Sequence, residues 1–442
     1  MDENKLTKII NNWLNSDKYK MMLNGEKYYM TQNKILNRAF YYWTRNEKKP
    51  DTYRANVKIA NNFFKVILDQ KVSYLLGKDI TINEFTPSFD INEEIYYTAE
   101  SASQCSVGWL FIYIDKNSML KQKTIPSETI IRINDNTIEE NTTGIIRLYS
   151  LFNDDDIEEF YCELWEDNKY TIYKKDGGIY KFQEEKTHLN NGVSWGRIPF
   201  IRLDNNRYGY SDLCPIKSLV DAYDIIISDF ANNFVDFQEV ILMIKNYAEN
   251  VKTEEAAAEF MEWLKKHKVI SVKDNGDVEI INKEIPYQAR IEFLQLLRKL
   301  IFLFSQAVDI DDLTGSNLTN VNIESRFASL DQKAEKFKKE LLKFVRTMLE
   351  FSNLYNQLIN TAKGIQDVFS AEIIFNKSQL INEHEKIEDC VTQVGTGVAS
   401  HRTIVANNPI VNDVEAELKE IEKDELNSNN NNYDGNADND FE

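Results

Sequence analysis

Hydrophobic residues recur every three or four positions along long stretches of the chain, and that interval predicts its longest helices. Between residues 212 and 238, Ile216, Leu219, Tyr223, Ile226, Phe230, Phe234 and Phe237 form one apolar stripe. Asp221, Asp224, Asp229, Asn232, Asn233 and Asp236 fall largely on the other side. Such a helix spans roughly 40 Å and tolerates Pro215 in its first turn. Its stripe is expected to face a partner along the whole length. A second helix is predicted over residues 287–307, with Ile291, Leu294, Leu297, Ile301 and Phe304 on its main stripe. The longest begins at Ile323. Phe327, Leu330, Ala334, Phe337, Leu341, Phe344, Met348, Phe351, Tyr355 and Leu358 then follow in alternating steps of four and three, the spacing of a bundle helix or a coiled-coil seam.

The remaining pattern is mixed. The first segment, about residues 4–78, reads as helical: Ile9, Ile10, Trp13 and Leu14 give a short stripe, and Phe63, Phe64, Ile67, Val72, Leu75 and Leu76 a helix over residues 59–76, stopped by Gly77. From about 108 to 200 the period shortens to that of strands. Residues 109–114, 129–133, 144–151, 159–163 and 170–173 are rich in β-branched and aromatic residues, with turns at Asp135-Asn136, Asp154 to Asp156, Asp167-Asn168 and Asp176-Gly177-Gly178. The connections are too short for crossover helices, so the sheet is expected to be mostly antiparallel and the fold class α+β.

Residues 240–284 read as a small α/β module between two helices. A strand covers 240–247, Thr253 caps a short helix, and 269–272 and 278–281 flank the turn Asp274-Asn275-Gly276-Asp277 as a hairpin. Residues 309–322 are a polar loop containing Thr314-Gly315-Ser316-Asn317. A strand is predicted at 370–375, helices at 380–394 and 411–425, and disorder in the Asn/Asp-rich tail 427–442.

The formal charge of −19 argues against a general nucleic-acid-binding surface, and about half of it lies in the last thirty residues, which carry eleven acids and two lysines. The four cysteines, Cys105, Cys162, Cys214 and Cys390, are far apart, which suits a reduced site of synthesis. The first ten residues lack an apolar signal core, and no run of 18 apolar residues occurs, so neither export nor a membrane span is expected.

Candidate chemistry is sparse. Gly395-Thr396-Gly397 has half of a dinucleotide fingerprint, but it follows a helix and Ser400 stands for the third glycine. His188, His267, His384 and His401 show no metal-ligand spacing, and Asn317-Leu318-Thr319 is a glycosylation acceptor only in an exported chain. No cofactor, metal or catalytic residue is expected, and the enzyme reading is poor. A coiled-coil scaffolding protein would use the heptads after Ile323, but the strand-rich middle argues against it.

Three pieces, in their order and spacing, resemble the portal proteins of tailed double-stranded DNA bacteriophages (siphophage and myophage type). They are Asn62-Phe63-Phe64 through Tyr74-Leu75-Leu76-Gly77-Lys78; Trp195-Gly196-Arg197-Ile198-Pro199-Phe200 with Asn205-Asn206; and Leu219-Val220-Asp221-Ala222-Tyr223-Asp224 through Ser228-Asp229-Phe230-Ala231-Asn232. The resemblance covers roughly residues 54–425. It implies a ring, typically of twelve copies, at a capsid vertex, through which DNA is packaged by a terminase and later ejected. Further partners implied are head-completion or adaptor proteins, the major capsid protein and scaffolding proteins, with no membrane.

The resemblance also divides the chain. Residues 1–210 hold the N-terminal helices and wing, 211–239 the first stem helix, 240–284 the clip, and 285–308 the second stem helix. Residues 309–322 are the tunnel loop, 323–379 the long helix with a returning wing strand, and 380–426 a helical crown. On this reading Asp312, Thr314, Gly315, Ser316, Asn317, Thr319, Asn320 and Asn322 face the channel. Arg298 and Lys299 are candidate DNA contacts, and Glu259, Lys265, Lys266, Asp274 and Asn275 form the clip's partner surface.

Overall fold

The computed structural model describes residues 1–43, 47–51, 54–189, 192–236, 241–245, 277–281, 287–313, 320–359, 364–378, 392, 400–407, 411 and 414–433. The chain divides into two units. One comprises Met1–Tyr19, Ile67–Tyr210 and Gln306–Glu442; the other Lys20–Val66 and Ser211–Ser305. Helices and antiparallel sheets share the chain, so the class is α+β as the strand spacing predicts.

The first unit holds a five-stranded antiparallel meander of Ile130–Asn134, Thr142–Phe152, Glu158–Trp165, Lys169–Asp176 and Ile179–Thr187. Its tightest turn is Gly177-Gly178, where both residues have positive φ (59° and 86°), a conformation that lets two strands reverse within two residues. One face of the meander packs on the N-terminal helix Glu3–Leu14. Leu6 and Ile10 bury against Ile131, Ile146, Cys162, Leu164, Tyr173 and Tyr180. The same helix blunts the sheet edge: Thr7 Oγ1 accepts from the Tyr180 N–H at 3.0 Å and Glu3 Oε1 from the Phe182 N–H at 2.9 Å.

A second sheet has the order Phe200–Asp204, Val107–Ile114, Leu120–Ile125, all antiparallel, and the helix Asn92–Cys105 lies on it. Gly108 permits that approach, because a Cβ there would run into the Thr98 carbonyl oxygen. Trp165 joins the two sheets edge-on, with ring centroids 5.1 Å from Phe111 and 5.5 Å from Phe200.

The spine of this unit is the helix Asn320–Leu358. Ile323, Phe327, Leu330, Ala334, Phe337, Leu341, Phe344, Met348, Phe351 and Tyr355 are all buried, so the four-three spacing marks a core face; Leu358, the last of the series, is exposed. Trp195 meets Phe351 edge-on at 5.8 Å, and Arg197 bonds Glu350 at 2.7 Å while lying over the Phe351 ring. The Pro199 carbonyl then accepts from the Ile112 N–H, feeding Phe200 into the sheet. Asn205 Oδ1 accepts a hydrogen bond from the buried Lys71 ammonium, which also bonds Ser103 at 3.0 Å and sits 4.0 Å above the Phe337 ring. The conspicuous sequence from Trp195 to Asn206 is therefore a brace between sheet and spine.

Several expectations need correction. The spine begins at Asn320 rather than Ile323, and a 3-10 turn occupies Ile310–Leu313. The helix expected over 59–76 begins at Phe63, because the backbone before it is extended. The segment 4–78, expected to be helical, holds the helix Asp17–Tyr29 but also the strands Tyr41–Trp43 and Lys48–Pro50, and no periodicity marks the helix Asn92–Cys105 or the strands Leu120–Ile125, Ile179–Thr187 and Phe200–Asp204. Polar residues dominate Ile179–Thr187, where every residue but Tyr180 is exposed, so no alternation betrays it. Residues 395–409 include a short helix, His401–Asn407, whose start is capped by Ser400 Oγ accepting from the Thr403 N–H at 3.2 Å.

The tail expected to be disordered from 427 is helical as far as Tyr433, within Val414–Tyr433. Once Ala, Glu, Leu and Lys have nucleated a helix, each added Asn costs only about 0.7 kcal/mol relative to Ala. Residues 434–442, 379–391 of the crown and the hairpin strand 269–272 lie outside the described residues.

Candidate functional site

The second unit is built on two helices, Lys217–Asp236 and Tyr287–Ser305, which pack on one another. Their burial inverts the sequence reading of the first. Val220, Asp224, Ser228 and Asn232 are its buried row, with Ile216 buried just before it, whereas Tyr223, Ile226 and Phe230 are half-buried and Phe234 is 54% exposed. The cause is a stretch of extended backbone beside the helix. Asp224 Oδ1 accepts from the Asn61 N–H at 3.0 Å, Ser228 Oγ from the Ile59 N–H at 3.0 Å, and Asn232 Oδ1 from the Val57 N–H at 2.6 Å.

The two periods match. Four residues of helix advance about 6 Å and two residues of extended chain about 6.6 Å, so a polar side chain at every fourth helical position meets every second N–H. The numbers run in opposite directions, so the segment lies antiparallel to the helix. Flanking groups complete the clamp. Asn33 Nδ2 donates to Asp224 Oδ2 at 2.6 Å and Asn61 Nδ2 to Asp224 Oδ1 at 2.7 Å. Arg38 bonds Asp229 at 2.7 Å and the Val57 carbonyl at 2.9 Å, while Asp221 receives the Tyr28 hydroxyl and the Lys217 ammonium. Burial pushes the Asp224 carboxyl above its ordinary value, with the donors from Asn33 and Asn61 pulling the other way.

The helix Tyr287–Ser305 has two apolar faces. Leu297, Ile301 and Phe302 are buried, and Phe63 stands edge-on to both Tyr223 (4.9 Å) and Phe302 (6.1 Å). Phe293, Leu296, Leu303 and Phe304 are each between 46% and 60% exposed. At about 100° per residue these four lie within roughly 100° of one another, on an arc that adjoins the buried one, Phe304 standing about 20° from Leu297.

The candidate DNA contacts diverge on this helix. Arg298 lies over the Phe302 ring at 5.8 Å and acts against the burial that raises the Tyr223 phenol, whereas Lys299 is exposed. Among the candidate channel residues, Asp312 falls in the Ile310–Leu313 turn, and Asn320 and Asn322 belong to the start of the long helix. Thr314, Gly315, Ser316, Asn317 and Thr319 lie outside the described residues, as do Glu259, Lys265, Lys266, Asp274 and Asn275. What is described of the 240–284 module is one antiparallel pair, Ile241–Lys245 with Asp277–Ile281, Ile241 opposite Ile281. The second strand thus pairs with 241–245, a long-range choice that the local turn signal at Asp274-Asn275 did not reveal. Sequence reasoning also missed the clamp. Its signal was the polar row at 224, 228 and 232, a four-residue repeat read as a solvated face.

Residues 8–431 match the model of a phage portal protein family, and the chain belongs to that family. Its branch is described as SPP1 Gp6-like. The portal protein of Bacillus phage SPP1 is 29% identical over 427 residues, covering 91% of this chain and 83% of the relative. That of Clostridium phage phiCD119 is 25% identical over 452 residues, covering 93% and 95%. A chain from the neck of an empty GTA particle superposes with a TM-score of 0.44 at 8% identity, over 78% of this chain and 88% of its own. The function is accordingly a phage portal function, and the family is a structural one rather than a catalytic one. Among the described residues, no helix is long and apolar enough to cross a membrane.

Asp224→Ala leaves the Asn61 N–H and two side-chain amides without their acceptor, and is expected to destabilise this unit by about 3 kcal/mol in chemical denaturation. An unchanged midpoint would show that the clamp contributes nothing. Because the folded state holds the Asp224 proton more tightly than the unfolded chain, its contribution to stability is fully present below the ordinary value of 3.8 and is lost as pH rises through the raised folded value. Wild type minus Asp224→Asn should therefore fall in stability as pH rises across the carboxylate range; a rising difference contradicts the assignment.

Proposed function

We propose that copies of this chain close into a ring, of twelve by the family resemblance, around a channel that double-stranded DNA crosses during packaging and ejection at a capsid vertex. The observation that carries this reading is the exposed apolar face Phe293, Leu296, Leu303 and Phe304 on a helix whose other face is already buried. Covering the exposed half of each side chain is worth roughly 1 kcal/mol apiece. A repeated heterologous contact of this kind closes a ring when the rotation suits. Lys217–Asp236 and Tyr287–Ser305 are then the stem, residues 240–284 the clip that meets terminase and afterwards head-completion or adaptor proteins, and 309–322 the tunnel loop. Major capsid and scaffolding proteins are further partners the resemblance implies, and the assembled ring is a virion component put together in a bacterial host.

The charge supports passage rather than capture. Several phosphate–cation pairs per subunit would give a salt-dependent complex that holds the polyanion in place, and an acidic chain avoids it. A polar loop can touch phosphates without a fixed register and without reading sequence.

The decisive measurement is particle mass with electron microscopy of the purified chain. Wild type is expected to form closed rings with a central hole, and Leu296→Glu/Leu303→Glu to remain a folded monomer. Rings from that variant would remove the apolar face from the interface. Deleting residues 314–319 should leave rings intact but lower the yield of DNA-filled heads at least about tenfold; normal yields would sink the tunnel-loop assignment. Charge reversal at Glu259, Lys265 and Lys266 should weaken terminase or adaptor capture in pull-downs, and equal capture would move the partner surface elsewhere.

A further inference from the structure

The hairpin joining the strands Thr142–Phe152 and Glu158–Trp165 ends in exposed apolar residues. Leu151, Phe152, Ile157 and Phe160 are each between 46% and 70% exposed. Side chains alternate across a strand, so Phe152 and Phe160 share the face of Leu148 and Cys162, which pack with the N-terminal helix, while Leu151 points to the other. Both faces of the tip are therefore apolar and open, which marks a contact surface. Its turn is acidic. Asn153 Oδ1 accepts from the Asp155 N–H at 3.0 Å and the Ile157 N–H at 2.9 Å and fixes the turn's shape. The carboxylates of Asp154, Asp155, Asp156 and Glu158 stay exposed and, among the described residues, have no cationic partner.

A matching surface lies on the helix Asn320–Leu358. Lys336, Lys339, Lys343 and Arg346 are exposed and, at about 100° per residue, lie within roughly 80° of one another, on the side away from the buried series. They cover about 15 Å of helix, and no carboxylate falls on that arc between Ser325 and Arg346. Glu340 holds Lys343 at 2.9 Å, whereas Lys336, Lys339 and Arg346 have no carboxylate partner among the described residues. We propose that the tip 151–160 of one copy lies across the stripe 336–346 of a second copy and fastens neighbouring subunits. This rests on the ring assembly proposed above and adds a tip-to-spine contact to the one between stem helices. Charge and apolar surface together select the occupant. Four carboxylates meet four cations, and the aliphatic stems of the lysines cover Leu151, Phe152 and Phe160 while their heads reach the acids. Duplex DNA would neutralise the stripe but leave the tip open, because phosphates repel its carboxylates. A second copy satisfies both surfaces, and each copy carries one of each, the head-to-tail relation that closes rings.

The test uses the full chain. Asp154→Lys/Asp155→Lys/Glu158→Lys reverses the tip and spares Asn153 and Asp156, whose φ of 57° suits Asp. Lys336→Glu/Lys339→Glu/Arg346→Glu reverses the stripe and spares Lys343. In sedimentation at low salt, either triple variant should need about tenfold more protein to assemble, and the combined variant should return to within about threefold of wild type. In a chain with no charge change, Phe152→p-benzoylphenylalanine should photocrosslink to residues 336–346 of a differently isotope-labelled copy. Equal assembly of all variants, or no recovery in the combined one, with no such crosslink overturns the inference and leaves the ring standing. A wild type that stays monomeric at low and high salt overturns both. Binding of a fluorescent DNA duplex that the stripe variant loses, with assembly of both triple variants unchanged, overturns it in favour of a polyanion.

Discussion

The second unit depends on a hydrogen-bonded match between a helix and an unpaired stretch of extended backbone. Residues 57–61 form no strand, so their part-buried N–H groups need acceptors from elsewhere, and Asp224, Ser228 and Asn232 supply them at alternate residues. A buried carboxylate would ordinarily be a liability; here backbone and two amide donors converge on Asp224 and hold it. The arrangement has a cost in apolar burial. With its polar row turned inward, the helix Lys217–Asp236 leaves Ile225, Phe234 and Val235 exposed. Together with the outer face of Tyr287–Ser305, that surface is what the proposed assembly would cover.

The first unit solves a different problem, holding one long helix still along its length. Apolar burial does most of this, and polar pins at intervals fix register. Near its start, Asp331 receives the Tyr74 hydroxyl at 3.0 Å and the Lys377 ammonium at 2.6 Å, and Lys377 also bonds Glu335 at 2.7 Å. Burial and the Asp331 carboxylate push the Tyr74 phenol up to about 12, so it stays a donor at any physiological pH. Near its end, Ser352 accepts from the Ser88 N–H and Asn356 from the Ser88 hydroxyl.

Much of the fold was legible in the sequence. The alternating four-three steps after Ile323 fixed the long helix and its buried face, since only one side of a helix can carry so regular a series. Strands with turn residues between them gave the antiparallel meander, because the connections leave room for nothing else. The pieces from Asn62 to Lys78, Trp195 to Asn206 and Leu219 to Asn232 pointed to the family, and structure explains why they stand out: they brace the spine or clamp the extended segment.

What the sequence alone determined, then, is where the strongly periodic helices and most strands of the meander lie and which family they build, because period and turn chemistry are local. Tertiary structure alone decided which face of Lys217–Asp236 is inside. A row of Asp, Ser and Asn reads as solvent-facing until a second segment, some 160 residues earlier in the chain, brings unpaired N–H groups to meet it. Hydrophobic patterning predicts burial only where apolar contact is the strongest demand; here unsatisfied backbone made the stronger one.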